Sequence, residues 1–344
     1  MKKIGVGIIG CGWAGRLHAV NLAALPGVKV VAACDAELPR AAKLADELGA
    51  AKRMADYEEL IALPEVDAVV VATPNFLHAP VSIVAARAGR HVLVEKPMCL
   101  DPEEGQRMVQ AADASGVVLL VGFNQRFEPD SLAIKRFAEG GWLGEVYFAK
   151  AGWVRRRGIP VGAGGWFADK ARSGGGPLID LGVHVIDLTM WLMGNPKPVA
   201  VSGSVYSKFA EALPAETGMD VEDMACGFVR FENGASMLVE TSWAANVESD
   251  GLYSVLMGTK GGAQRGGGRY PLKIMSEIEG ILADITPVVS WEAGSSQAAL
   301  DAHFVSCVRG EEEPVAKGEH GLAVARVIDG VYRSAATGAE VRVD

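Results

Sequence analysis

Lys96 lies at a position where a cationic side chain could act on a substrate. It follows the apolar segment His91-Val92-Leu93-Val94, which is typical of a buried strand, and it precedes Pro97, which favours an extended backbone at the lysine. At the end of a central strand, the ammonium group can stabilise negative charge that develops on a substrate oxygen. A surface lysine paired with Glu95 is the structural alternative, and the position favours the catalytic interpretation.

Asp180 and His184 form a second candidate pair. The glycine run at 174–176 leads into an apolar helical pattern over 181–192, and the two polar residues lie four positions apart at its start. Residues at this spacing share one helical face. A histidine beside a carboxylate can remove a hydroxyl proton, because its unperturbed pKa of about 6.5 is close to neutral pH. A buried structural histidine, a helix-capping aspartate and a metal-binding pair remain alternatives, although the sequence places no third metal ligand nearby.

The end of the first predicted strand carries a pattern that binds phosphate groups. The apolar segment Ile4–Ile9 leads into G-x-G-x-x-G, formed by Gly10, Gly12 and Gly15, and a helical pattern follows over 16–25. The first glycine permits a tight turn, the second lets a pyrophosphate approach the backbone, and the third lets the helix pack closely on the strand. The free N–H groups and the positive end of the helix then face the anion. An ordinary glycine-rich turn is the alternative.

Asp35 makes this pattern more specific. It ends a second apolar segment, Val28–Cys34, and follows Gly15 by 20 positions. A carboxylate at this place accepts hydrogen bonds from both hydroxyls of the adenosine ribose and repels a 2′-phosphate. The sequence therefore predicts NAD as the cofactor and makes NADP less favoured, although Arg40 offers a cation that could accommodate the extra phosphate. Capping of the next helix is a compatible structural role for Asp35.

The elements that must position these residues alternate between strand and helix in the first third of the chain. Apolar segments without polar alternation indicate strands covered on both faces, and they predict a Rossmann-type, doubly wound parallel sheet. Ligands of such sheets bind beyond the carboxyl ends of the strands, which is where Lys96 lies. The predicted strands are 4–9, 28–35, 68–72, 91–94 and 117–121, and the predicted helices are 16–25, 41–48, 57–63, 79–88 and 103–114.

The pattern changes after residue 123. Longer segments with polar alternation indicate an α+β domain with a large, open, mostly antiparallel sheet. We therefore predict a dinucleotide-binding domain at 1–123 and a domain for substrate binding and oligomerisation at 124–344. The glycine-dense segment 258–268 is predicted as a surface loop, and Glu222 with Asp223 as an exposed acidic strand end. The predicted strands are 145–154, 199–206, 225–231, 235–243 and 253–257, and the predicted helices are 129–139, 181–192, 297–308 and 321–334.

Composition and charge limit the classes of protein to which the chain can belong. Its 344 residues are 49% hydrophobic and 22% charged, which is typical of a folded globular protein. The net charge of −9 argues against nucleic acid or an anionic membrane as a partner. We expect neither a transmembrane segment nor a signal peptide. The five scattered cysteines show no C-x-x-C spacing, which predicts reduced thiols, a cytoplasmic location and no metal site.

Taken together, these motifs resemble the Gfo/Idh/MocA family, which is named for glucose–fructose oxidoreductase and inositol dehydrogenase. Each motif alone is unspecific, but they follow the family's order over most of the chain. The residues that carry the resemblance are the Gly10–Gly15 turn, Asp35, Ala72–Asn75 with His78, Glu95-Lys96-Pro97, Asn124–Phe127, Gly176–His184 and Gly258–Gly261.

The resemblance implies a role for each matching residue. Lys96, Asp180 and His184 are the implied catalytic trio, and all three are also expected to contact the substrate. Arg126 is a further expected substrate-binding residue. The implied cofactor-binding residues, several of them on the nicotinamide side, are Gly10, Gly12, Trp13, Ala14, Asp35, Thr73, Pro74, Asn75, His78, Glu95, Lys96 and Asn124.

The stretch 166–172 offers two more substrate-binding candidates. Trp166 could stack on the face of a sugar ring, and Arg172 could bind hydroxyl groups or a charged substituent. The alternative is a loop or arm that packs on another subunit and leaves its charges solvated.

The resemblance also implies a reaction, namely hydride transfer between NAD(P) and a secondary alcohol or ketone of a sugar, cyclitol or sugar derivative. A small polyhydroxylated molecule is the expected substrate, and a homodimer or homotetramer built through the C-terminal sheet is the expected assembly. Two alternatives remain open. Some relatives retain NAD and cleave a glycosidic bond through transient oxidation, and a dehydrogenase fold can serve as a non-catalytic NAD sensor. The intact set of Lys96, Asp180 and His184 argues against a sensor.

Overall fold

A computed structural model of the chain describes residues 3–160, 165–209, 213, 218–267, 271–289 and 295–344. They form two compact units. The first comprises Met1–Asn124 with Ala293–Leu322, and the second comprises Gln125–Glu292 with Ala323–Asp344. The first break lies one residue beyond the predicted boundary at 123, whereas the segment 293–322, predicted for the second domain, groups with the first unit. The functional assignment of the two domains stays a prediction.

The secondary-structure elements have the following bounds. Up to residue 124 they are β1 (Ile4–Ile9), α1 (Trp13–Ala23), β2 (Val28–Cys34), α2 (Leu38–Leu48), β3 (Lys52–Met54), α3 (Tyr57–Ile61), β4 (Ala68–Val71), α4 (His78–Arg87), β5 (His91–Val94), α5 (Pro102–Ser115) and β6 (Leu119–Val121). From 125 to 289 they are α6 (Pro129–Glu139), β7 (Val146–Val154), α7 (Lys170–Ser173), a π-helical turn (Leu178–Gly182), α8 (Val183–Leu192), β8 (Pro198–Tyr206), β9 (Met224–Phe231), β10 (Ser236–Ser242), β11 (Gly251–Gly258), β12 (Gly261–Gly266), β13 (Lys273–Ile278) and β14 (Ile281–Ile285). The last are α9 (Ser296–Arg309), α10 (Gly318–Thr337) and β15 (Val341–Arg342).

The first unit is organised by a parallel sheet. Its strand order is β3-β2-β1-β4-β5-β6, and each neighbouring pair is parallel. Every residue of β1 and β4 is buried, as expected for strands covered by helices on both faces. The predicted doubly wound sheet is thus confirmed. The short edge strand β3 is an addition, because its sequence Lys-Arg-Met carries no apolar run that would reveal it.

A second, larger sheet organises the second unit. In the described part of the chain its order is β14-β13-β12-β11-β7-β10-β9-β8-β15, and all neighbours are antiparallel except β7 and β10. The mostly antiparallel sheet is therefore confirmed. The prediction of a surface loop over the glycine-dense segment was wrong, because Gly261–Gly266 forms β12. Hydrogen bonds from β11 on one side and β13 on the other hold this strand despite its low intrinsic β propensity.

The helix α8 packs against one face of this sheet, over β7 and β11. Nine of its ten residues are buried, which is typical of a helix that is apolar on all sides. Alternation along the strands then places Leu238 and Met257 on the opposite face, where both are exposed. One face of the sheet therefore forms the core of the unit, and the other is open.

Candidate cofactor and catalytic sites

The glycine turn after β1 leaves room for an anion at one position. Gly10 has a φ of 94°, in the left-handed region, and a Cβ there would lie 2.3 Å from the carbonyl oxygen of Ala72. A Cβ on Gly15 would lie 1.8 Å from the carbonyl oxygen of Gly10. By contrast, a Cβ on Gly12 would meet no described atom within 4 Å. Because α1 begins at Trp13 and has no acidic residue in its first turn, this open space suits a phosphate group.

Asp35 is fixed beside this turn by two backbone hydrogen bonds. Its Oδ2 accepts the N–H of Cys11 at 2.9 Å, and its Oδ1 accepts the N–H of Glu37 at 2.9 Å. Because an ionised carboxylate has about four acceptor positions, both oxygens keep capacity for ribose hydroxyls. Arg40, which could assist NADP, instead forms an exposed ion pair with Glu37 at 2.9 Å.

His78 connects the loops that follow β4 and β5. Its Nδ1 lies 2.6 Å from the carbonyl oxygen of Pro97, and its Nε2 lies 2.9 Å from that of Thr73. Burial lowers the pKa of the ring, and a neutral imidazole donates only one of these two hydrogen bonds at a time. His78 thus holds two loops together, and its expected contact with the nicotinamide side stays a prediction.

Two residues expected on the nicotinamide side carry polar atoms that suit a polar ligand. Thr73 Oγ1 and Asn124 Oδ1 are buried and have no hydrogen-bond partner within the ranges that the structure describes. Each such atom costs about 1–3 kcal/mol when it stays unsatisfied. A ligand with amide and hydroxyl groups can satisfy them, and NAD carries both. The residues present therefore fit NAD.

Glu95 and Lys96 follow β5, at the edge where a doubly wound sheet binds its ligands. Glu95 Oε1 accepts a hydrogen bond from His18 Nε2 at 3.0 Å, and Glu95 Oε2 accepts the backbone N–H of Lys96 at 3.0 Å. Burial raises the pKa of Glu95, but the hydrogen bond and charge of His18 and the charge and backbone N–H of Lys96 together outweigh it, so this pKa lies below its usual value. The Lys96–Pro97 peptide bond is cis. Both carboxylate oxygens of Glu95 contact protein groups, and its cofactor contact stays a prediction.

In the second unit, Asp180 and His184 lie where the π-helical turn passes into α8. Asp180 Oδ2 accepts the Nε1–H of Trp243 at 3.0 Å, and Trp243 is fully buried. The ring centroid of His184 lies 5.6 Å from that of Trp153, with the ring planes inclined by 50°. His184 is also the one residue of α8 that is not buried. The sequence predicted an ordinary helix from residue 181, but the structure has a π-helical turn over Leu178–Gly182. Turns of this kind are frequent at functional sites.

Glu222 holds the glycine run that precedes this turn. Its carboxylate accepts the N–H groups of Gly176 at 3.0 Å and Leu178 at 3.1 Å, together with the hydroxyl of Tyr332 at 2.9 Å. The prediction of an exposed acidic strand end was wrong, because Glu222 and Asp223 are both buried. The glycine run is the only sequence signal of this contact, since the partners lie 44 to 110 positions away.

The other predicted substrate residues have different surroundings. Arg126 is buried, and its guanidinium donates to the Asp187 carboxylate through Nε at 2.9 Å and Nη2 at 2.5 Å. Trp166 stacks on Phe167 with ring centroids 4.0 Å apart, and Arg172 is exposed. The structure thus gives Arg126 a buried ion pair, and substrate contacts for all three residues stay predictions.

The described residues contain neither a candidate metal centre nor a helix that could span a membrane. No group of three or more His, Cys, Asp or Glu side chains among them could hold a metal ion. No helix there is long and apolar enough to cross a bilayer. All five cysteines are free thiols.

Comparison with known proteins places the chain among oxidoreductases. Residues 4–123 match the family model of an oxidoreductase family with an NAD-binding Rossmann fold, and residues 131–264 match the Gfo/Idh/MocA C-terminal domain. D-glucoside 3-dehydrogenase of Escherichia coli K12 is 32% identical over an alignment of 351 positions, which covers 98% of this chain and 97% of that protein. The chain belongs to the Gfo/Idh/MocA family.

Further family members extend the similarity. The scyllo-inositol 2-dehydrogenase (NAD(+)) of Bacillus subtilis is 31% identical over 309 residues, which cover 90% of this chain and 87% of that protein. A solved complex of levoglucosan dehydrogenase with NADH is 25% identical, with a TM-score of 0.87 and complete coverage of both chains. The chain described here is therefore an NAD-binding oxidoreductase of the class that acts on CH–OH groups.

Proposed function

We propose that the protein oxidises a secondary alcohol of a sugar, cyclitol or sugar derivative, or reduces the corresponding ketone, with Lys96, Asp180 and His184 as catalytic residues. The observation that carries the proposal is the exposure pattern of α8. Nine of its residues are buried, and His184 alone is half-buried, directly after the turn in which Trp243 holds Asp180. Relatives named for a glucoside, for scyllo-inositol and for levoglucosan support this substrate class.

In the proposed oxidation, His184 accepts the proton of the substrate hydroxyl. Asp180 stabilises the imidazolium that forms, while the hydrogen bond from Trp243 fixes the orientation of the Asp180 carboxylate. Lys96 donates a hydrogen bond to the same substrate oxygen and stabilises its developing negative charge. Bound NAD supplies the hydride acceptor. For the reduction, each proton transfer runs in the opposite direction.

The proposed cofactor is NAD rather than NADP. Asp35 supports this preference, because its carboxylate is fixed next to the glycine turn and would repel a 2′-phosphate. The residues proposed to hold NAD are Gly10, Gly12, Trp13, Ala14, Asp35, Thr73, Pro74, Asn75, His78, Glu95, Lys96 and Asn124.

A substrate screen tests the proposed reaction class. Inositols, aldoses, anhydrosugars, glycosides and sugar acids are each incubated with the protein and NAD, and NADH formation is followed by absorbance. We expect sustained NADH formation with at least one of these ring polyols. Tightly copurified NAD, with product formed from a glycoside and no net NADH, would instead indicate the glycoside-cleaving alternative.

Two substitutions test the catalytic assignment. His184→Ala removes the proton acceptor, and Lys96→Ala removes the cation that stabilises the oxygen, so each should lower kcat by about 10²–10⁴-fold. NADH affinity, measured by fluorescence titration, should stay within about twofold. Lys29→Ala serves as a control, because Lys29 is an exposed lysine in β2. Near-normal turnover in either catalytic variant would contradict the assignment.

We further propose that the protein assembles as a homodimer or homotetramer through the open face of the second sheet. The strand pairing places Phe228, Leu238 and Lys150 side by side on this face. Leu238 and Met257 are exposed there, and Leu238 lines a groove of about 740 Å³ together with Lys150 and Glu240. An apolar sheet face of this kind is typical of a surface covered in an assembly.

A further inference from the structure

The first unit buries a group of polar side chains to which the proposed mechanism gives no role. We call it the His18 cluster, and its members are His18 and Asn21 of α1, Gln297 and Asp301 of α9, and Glu95 after β5. His18 Nδ1 lies 2.5 Å from Asp301 Oδ1, and His18 Nε2 lies 3.0 Å from Glu95 Oε1. Asn21 donates to Asp301 Oδ2 at 2.8 Å, and the Gln297 amide nitrogen lies 3.2 Å from His18 Nε2.

The protonation state of His18 follows from its two neighbours. Each ring nitrogen faces a carboxylate oxygen, and only an imidazolium donates hydrogen bonds to both. Burial alone would lower the pKa of His18, but the charges and hydrogen bonds of Asp301 and Glu95 raise it to about 10. The ring is therefore a buried cation at neutral pH, held between two carboxylates.

Glu95 connects this cation to Lys96. One oxygen of its carboxylate accepts the His18 hydrogen bond, and the other accepts the backbone N–H of Lys96 at 3.0 Å. Gly122 at the end of β6 supplies the space, because a Cβ there would lie 3.3 Å from Glu95 Cα and 3.4 Å from Glu95 Oε2. The direction of the Glu95 side chain and the backbone at Lys96 are thus set together.

The stability of the fold alone gives no reason for charges at this place. Burying an ion pair costs solvation energy that its own attraction barely repays, and apolar residues of similar volume are often as stable. Elsewhere α1 and α9 bury apolar residues such as Leu22 and Leu300. The His18 cluster lies where the two helices meet the loop that carries Lys96.

We propose that His18 is a positioning residue for Lys96, because it holds Glu95 in one orientation and Glu95 holds the main chain from which the Lys96 side chain projects. Asp301 supports His18 from the opposite side. The inference depends on the proposed role of Lys96 as a catalytic residue. Through His18 and Glu95, Asp301 of α9 would then affect the loop that carries Lys96.

The decisive variant is His18→Gln, which keeps a polar side chain but cannot carry a positive charge or bridge both carboxylates. His303→Gln is the matched control, since His303 is also buried, lies on α9 and is paired with a carboxylate, Glu312, at 2.5 Å. Kinetics are measured with the best substrate of the screen above, and NADH affinity by fluorescence titration. A thermal melt of each variant reports its folding.

We expect His18→Gln to lower kcat at least about tenfold, with the substrate KM and the NADH affinity within about twofold of native. His303→Gln should lower the melting temperature and leave kcat unchanged. The inference is overturned if His18→Gln keeps native kcat while Lys96→Ala is inactive, or if both histidine variants lose kcat equally. Near-normal turnover of Lys96→Ala would instead refute the proposed function itself.

A spectroscopic measurement covers the case in which His18→Gln does not fold. In native protein with ¹⁵N-labelled histidine, the ring nitrogens of His18 should both carry protons at about pH 8, well above the usual histidine pKa of about 6.5. Asp301→Asn keeps the side-chain volume and removes one of the two flanking charges, so it should lower both this His18 pKa and kcat. A native His18 ring that is neutral at about pH 8 would overturn the inference.

Discussion

Asp35 combines a structural contact and a proposed cofactor contact in one carboxylate. Asp35→Asn keeps one acceptor oxygen, which serves the backbone N–H of either Cys11 or Glu37, and removes the charge that would repel a 2′-phosphate. We expect kcat/KM with NAD to fall about tenfold and kcat/KM with NADP to rise. Both constants are measured with one substrate. Asp56→Asn is the control, since Asp56 also accepts a backbone N–H, from Glu58 at 2.8 Å. This substitution should leave the ratio of kcat/KM with NAD to kcat/KM with NADP unchanged.

Equal losses of kcat/KM with NAD and with NADP in Asp35→Asn would mean that this residue acts only through its backbone contacts.

Single residues differ in how far the sequence alone indicates their roles. The proposed roles of Asp35 and Gly12 follow from a short, local spacing. The loop-bridging contact of His78 and the contacts of Glu222 do not, because each side chain binds groups that only the fold brings near, such as the carbonyl oxygen of Pro97 and the hydroxyl of Tyr332.

At the scale of elements, the π-helical turn before α8 depends on a strand that lies far away in sequence. Trp243 follows β10 and donates to Asp180, 63 positions earlier. Trp243→Phe keeps a buried aromatic ring but removes this donor, so the Asp180 carboxylate loses its fixed orientation. We expect kcat to fall about tenfold, with a moderate loss of melting temperature. Steady-state kinetics and a thermal melt measure the two effects.

The matched control for this prediction is Trp191→Phe. Trp191 is also buried, but its ring lies beneath the cations of Arg126 and Lys135 and does not donate to Asp180 in the described contacts. Trp191→Phe should lower the melting temperature and leave kcat near its native value. If both tryptophan variants lose kcat to the same extent, the hydrogen bond to Asp180 has no special part in turnover.

Element type was predictable from the sequence where periodicity was strong, and element detail was not. The apolar run of α8 marked a buried helix, but nothing local marked its first turn as π-helical. The glycine run before it has a cause outside its own segment, since a Cβ on Gly175 would lie 1.9 Å from the Tyr332 hydroxyl oxygen. The strand Gly261–Gly266 was missed for the same reason, because its neighbours β11 and β13 determine its conformation.

At the scale of the whole molecule, the sequence indicated two sheets of different type but not the return of the chain to the first unit. A change from uninterrupted to alternating apolar segments is the basis of the boundary predicted at residue 123. The later segment 293–322 contains α9 and the start of α10, and a helical sequence pattern would suit either unit. The contacts that tie it to the first unit are non-local, and the one between Asp301 and His18 spans 283 positions.

The open face of the second sheet gives the last prediction. Leu238→Lys places a charge at an exposed apolar position that pairs with Phe228 and Lys150, so it adds both desolvation cost and repulsion to any contact made there. We expect the molar mass from light scattering to fall from a multiple of the chain mass to the monomer, or from tetramer to dimer. Leu132→Lys is the control, because Leu132 has a similar exposure of 39% but lies on α6. An unchanged mass in Leu238→Lys would contradict assembly through this face.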